Sequence, residues 1–195
     1  PGPPIAWVVM RRLRWTMVAM TATIGLVAGA CSDDDDPDTG GDESTEESAP
    51  PVEPFTLSST SFDDGGTIPA VHTCDGENTQ PAFAIGGAPD GTSEVVLIVD
   101  DPDAPDGTFI HWTVWGLDPA GDIDEGAPPA GAIEGTTGVG SPGWFGPCPP
   151  PGDPHNYEFQ LTAVSEPVDL PAGSTVDELR AAIADTTLEE TVTVG

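Results

Sequence analysis

The sequence predicts a mainly β domain of two packed sheets with one late helix. Three observations carry that prediction. Glu94-Val-Val-Leu-Ile-Val99 is a short unbroken apolar run, Phe109 to Leu117 is rich in aromatic and β-branched residues, and Tyr157 to Val164 alternates apolar with polar over its first half. Runs of this length, bounded by Gly and Pro, suit strands better than helices.

Each element has its own reason. The unbroken run at 94–99 predicts a strand covered on both faces. On the second strand, simple alternation puts His111 on the face opposite Ile110, Trp112 and Val114. The third strand should bury one face only. Thr175 to about Ala184 reads as the helix: Ser174 or Thr175 can cap it, Asp177 and Glu178 suit its first turn, and Leu179 and Ile183 share a face. Strands separated by turns, with a single helix near the end, make a layered β domain over residues 55–195.

Composition narrows the function. The 195 residues carry 34 Asp and Glu against four Lys and Arg, a formal charge of −30. There is no lysine, and after Cys31 the single basic side chain is Arg180. A nucleic-acid partner is excluded, because phosphate backbones are bound by clustered Lys and Arg that release counterions. Acidity of this kind serves solubility, and it would also suit a saline habitat.

The first 31 residues differ from the rest. Met10-Arg-Arg-Leu-Arg14 followed by an apolar stretch to Ala30 has the charged and apolar regions of an export signal, and residues 1–9 are expected to lie upstream of its start. The stretch ends in Leu26-Val-Ala-Gly-Ala-Cys31, which resembles a bacterial lipoprotein processing site. The resemblance implies cleavage before Cys31, lipidation of its thiol and anchoring to a membrane of the cell envelope. A soluble exported protein is the alternative. Residues 32–54 are rich in Asp, Glu, Ser, Thr and Pro, with almost nothing apolar to bury, and read as a disordered acidic tether.

Three segments concentrate polar chemistry at stiff turns: Asp101-Pro-Asp-Ala-Pro105, then His111-Trp112, then Gly146-Pro-Cys-Pro-Pro150 followed by His155-Asn-Tyr157. Prolines after the first strand end its ladder and bring Asp101 and Asp103 to the rim of the sheet, where they can also cap local amides. His155 and Tyr157, two apart, share one face of an extended segment. Gly143-Trp-Phe-Gly146 offers aromatic faces and close backbone approach.

Taken together with Thr67-Ile-Pro69 and Thr73-Cys-Asp-Gly76, these segments resemble the phosphatidylethanolamine-binding protein family, also called Raf kinase inhibitor-like proteins, in its bacterial YbhB/YbcL-type branch. The resemblance runs from about Phe55 to the last residue. It implies a β-sandwich of antiparallel strands with one or two short helices, and a pocket for a small anion such as phosphate or a phospholipid head group. Carried over by position, that pocket comprises Asp101, Asp103, His111, His155 and Tyr157, with Pro105 stiffening its wall. Asn156 stands where family members commonly have arginine.

If Cys31 is lipidated, Cys74 and Cys148 remain as an even pair in an oxidising setting. A disulfide between two pocket loops and two free thiols, as in cytoplasmic relatives, both fit. No catalytic role is expected: the Gly-x-Ser-x-Gly elbow of serine hydrolases is missing, Val139-Gly-Ser-Pro-Gly143 standing nearest to it, and no cofactor motif is present. The alternatives are an envelope interaction module that inhibits a kinase or protease, and a metal-dependent hydrolase built on the histidines and aspartates.

Overall fold

The structure is a computed structural model in which residues 53–195 are described. The expected export segment, Cys31 and residues 32–52 of the expected tether lie outside the described residues. Two antiparallel sheets make the fold. β1 (Thr56–Ser59), β2 (Phe83–Gly86) and β5 (Asp122–Ile123) form a three-stranded sheet in the order β1-β2-β5. β3 (Glu94–Asp101), β4 (Phe109–Leu117), β6 (Ile133–Glu134), β7 (Glu158–Val164) and β8 (Thr187–Val194) form a five-stranded sheet in the order β6-β4-β3-β7-β8. One 3₁₀ turn, Ala70–His72, and one helix, α1 (Val176–Ile183), complete the regular elements among the described residues.

The centre of the larger sheet is buried on both faces, and this is why β3 is an unbroken apolar run. Val95, Leu97 and Val99 face the smaller sheet and pack with Leu57, Phe83, Trp112, Phe159 and Leu161. Val96 and Ile98 face the other way, toward Trp115, Leu179 and Ile183. Leu179 and Ile183 lie one turn apart on α1, so the helix covers that outer face with a single stripe.

Local signals set the helix. The Thr175 Oγ1 accepts from the Glu178 amide at 3.3 Å, and Glu178 Oε2 accepts from the Thr175 amide at 2.8 Å. This reciprocal capping box settles the choice between Ser174 and Thr175 and starts the helix at Val176. Arg180 on α1 reaches Asp100 at 3.1 Å, tying the helix to the end of β3.

Simple alternation fails on β4. Val99 pairs with Trp112 while Asp100 pairs with Ile110, so His111 is the extra residue of a β-bulge. Ile110 and Trp112 therefore lie on opposite faces of the sheet, not on one. The bulge turns the His111 ring toward Phe109 and Tyr157, at centroid separations of 4.9 and 5.1 Å.

Candidate functional site

Asp101 is the last residue of β3 and is buried. One carboxylate oxygen accepts from the Asp103 amide at 2.9 Å, closing an Asx turn, and the other accepts from His155 Nδ1 at 2.7 Å. A carboxylate has acceptor sites enough for both, so capping the turn and orienting the imidazole are one job. Because Nδ1–H of His155 is committed to Asp101, the remaining ring nitrogen Nε2 is the one offered outward.

Asp103 is exposed, and Asn156 holds it. The Asn156 amide and its side-chain nitrogen both donate to one Asp103 oxygen at 2.9 Å. These bonds, the backbone one first, keep the Asp103 carboxyl below the usual carboxylate range. Asn156 is thus a clasp between two loops.

His111 is 3% exposed. Its Nδ1 donates to the Phe145 carbonyl at 2.6 Å, and the Phe145 amide donates back to the His111 carbonyl at 3.0 Å. Burial pushes the His111 pKa below its ordinary 6.5, against the smaller opposing pulls of the Phe145 carbonyl and the Asp101 charge. The imidazole is therefore neutral at neutral pH, with Nδ1 protonated and the Nε2 lone pair free.

Tyr157 packs edge-on to His111, the ring planes 81° apart. Its hydroxyl is buried and has no hydrogen-bond partner. The Cys148 amide lies near enough to oppose the rise in its pKa without reaching hydrogen-bond geometry. Burial, and then the Asp101 charge, push the phenol up to about 12, so it remains a neutral donor.

Two clefts open beside this group. One of about 550 Å³ lies between the Thr67–Ala70 turn, Pro147, Pro149 and the segment from His155 to Tyr157. A second, of about 480 Å³, lies between Asp103 and the Pro150–Pro154 loop. His155 and Asn156 line both, whereas Asp101 and His111 are buried and line neither. Pro105 is exposed in the loop from β3 to β4 and lines neither of these two clefts.

The segment 70–79 holds the far side of the site in place. Cys74 and Cys148 are joined in a disulfide, with Cα atoms 5.3 Å apart, and the Cys74 amide donates to the Pro147 carbonyl at 3.0 Å. The Asn78 Oδ1 accepts from the Gly146 amide at 2.9 Å. Glycine is required at 146, because a Cβ there would sit 2.3 Å from the His72 carbonyl oxygen and 2.4 Å from Asn78 Oδ1. His72 itself is buried, with Nδ1 donating to the Thr79 carbonyl at 2.8 Å, and it braces this loop from within. Among the described residues no three His, Cys, Asp or Glu side chains converge in the manner of a metal site.

The sequence-predicted residues Asp101, Asp103, His111, His155 and Tyr157 are brought together, from positions up to 56 apart in the chain. The Phe145 carbonyl and Asn78 were not foreseen. A main-chain carbonyl leaves no trace in residue identity, and Asn78 lies just beyond the Thr73–Gly76 motif with nothing in its spacing to mark it.

Residues 58–195 match the family described as "PBP: Phosphatidylethanolamine-binding protein". The chain is 39% identical over 149 residues to a protein of Mycobacterium tuberculosis named "Putative lipoprotein LppC", covering 75% of this chain and 74% of that one. Among solved structures it is similar to a phosphatidylethanolamine-binding protein homologue from Chlamydia trachomatis, with a TM-score of 0.69 and 31% identity over 72% of this chain and 95% of that one. It is likewise similar to Escherichia coli YbcL, with a TM-score of 0.67 and 26% identity over the same shares. With the sandwich, the hairpin carrying Asp101 and the paired histidines in place, this chain belongs to the phosphatidylethanolamine-binding protein family and sides with its bacterial YbcL-type members.

Proposed function

We propose that the domain binds a small phosphate-like anion, free or as a lipid head group, at the two imidazoles, and that it does so without catalysis. One observation carries this reading. Each histidine commits Nδ1 to a fixed oxygen, Phe145 O for His111 and Asp101 for His155, so each has Nε2 left for a ligand, beside a buried phenol hydroxyl that has no partner. An oxyanion satisfies that hydroxyl. It also stabilises a proton on the His111 Nε2, turning an acceptor into a donor as the anion arrives.

The sign of the pH dependence follows. His111 is neutral above its lowered pKa, and binding favours its charged form, so affinity rises as pH falls from above neutrality to below the ordinary imidazole value of 6.5. Titration calorimetry with inorganic phosphate and with phosphoethanolamine, on either side of that pH, tests the reading. Wild type should bind more tightly at the acid pH, and His111→Ala should lose most of the difference. Equal affinities throughout would refute it.

The domain is further proposed to be exported and lipid-anchored at Cys31. The arginine-led apolar segment ending at that cysteine supports this, as does the lipoprotein named among its relatives. Cys31→Ser should move the protein out of the membrane fraction; unchanged membrane retention would contradict the anchor.

A further inference from the structure

We infer that Asn78 is a positioning residue for the His111 imidazole, acting through the peptide group between Phe145 and Gly146. The inference rests on the anion reading above for its functional meaning and on geometry for its mechanism. Both polar ends of that one peptide are engaged. Its carbonyl accepts the His111 Nδ1 proton at 2.6 Å, and its amide donates to Asn78 Oδ1 at 2.9 Å. A peptide is planar, so fixing the amide end fixes the direction of the carbonyl. The carbonyl direction in turn decides which imidazole nitrogen carries the proton and which is presented to a ligand.

Asn78 is built for this and for little else visible in the fold. It is the one non-glycine residue with positive φ among the described residues, at 55°. Asparagine tolerates that conformation, and its short side chain can carry an acceptor back to a neighbouring loop. The Gly146 amide it satisfies belongs to a buried residue, whereas Asn78 is itself exposed and contributes nothing to either apolar core. The same segment is pinned by the Cys74–Cys148 disulfide and by Cys74 N–H to Pro147 O. Those ties hold the loops together but touch the chain one or two residues beyond the peptide that orients His111. Asn78 is the direct contact.

Two variants separate orientation from mere stability. Asn78→Gly keeps the positive φ without strain and deletes the acceptor. Asn78→Asp keeps an oxygen in the same place. The tautomer of His111 is read from the histidine ¹⁵N spectrum of the full chain at neutral pH without ligand, and affinity is read with inorganic phosphate. Wild type and Asn78→Asp should show His111 protonated at Nδ1. Asn78→Gly should show a mixture of tautomers and bind phosphate about fivefold more weakly, the effect of one lost hydrogen bond. A lower melting temperature in Asn78→Gly with an unchanged His111 spectrum would overturn the inference. The spectrum needs no ligand, so the two proposals fail separately: no phosphate binding by wild type, together with a tautomer change in Asn78→Gly, would sink the anion reading and uphold the role of Asn78.

Discussion

Tyr157 shows a site side chain held at a cost to the fold. A buried hydroxyl with no partner costs on the order of 1–3 kcal/mol, and the Tyr157 hydroxyl is in that position. Tyr157→Phe is therefore expected to leave the unliganded domain as stable as wild type or slightly more so, while phosphate affinity falls about tenfold. Denaturant unfolding alongside calorimetry would check this. A variant that unfolds more easily, with affinity intact, would make the hydroxyl structural. His111 follows the same pattern. Its folded pKa lies below the unfolded value, so its neutral form contributes stability above about pH 6.5, and that contribution is lost as pH falls through the folded pKa. An anion bound at acid pH offsets the loss.

The elements legible in the sequence were those with strong apolar signals. β3, β4, β7 and α1 stand close to their expected limits because each buries a run or stripe of large side chains. β8 was not foreseen, because it is an edge strand whose Glu189 and Glu190 are exposed and whose Leu188 and Val192 point outward. Charges on an edge prevent unwanted pairing and also erase the apolar pattern. β5 and β6, at two residues each, are too short to carry a period. The bulge at His111 displaces a single residue and keeps the composition of a regular strand. The Asp101–His155 pair, 54 residues apart, follows from no spacing rule; only the family resemblance pointed to it.

The disulfide acts at the level of loops. It closes a segment of 74 residues, for which loop entropy in the unfolded chain corresponds to about 4 kcal/mol. Cys74→Ser with Cys148→Ser should lower unfolding free energy by about 2–4 kcal/mol and weaken phosphate binding, since Cys148 follows the Gly146-Pro147 segment beside His111. Unaltered stability under oxidising conditions would argue that the two thiols are not bonded in the protein.

At the scale of the molecule, charge works against the proposed ligand. Thirty-four carboxylates against four basic residues repel an anion before it reaches the site, and Arg180, the single basic side chain in the described domain, is spent on Asp100. An anion site built from Lys and Arg loses affinity as salt is added. Here added KCl screens repulsion, whose range shrinks to about 10 Å at ~0.1 M, so phosphate binding should strengthen between low and moderate salt and the melting temperature should rise with it. A melting temperature indifferent to KCl would remove charge repulsion from the account.

The central claim is that the anion is held at the two imidazoles and that His111 gains a proton as it binds. Calorimetry of inorganic phosphate binding at pH 7 in two buffers of different ionisation enthalpy counts that proton directly. Phosphate titrates near this pH and contributes its own protons, so the account predicts that wild type takes up more than His111→Ala, by up to one proton. The same proton uptake in wild type and His111→Ala, or no binding at all, would contradict it.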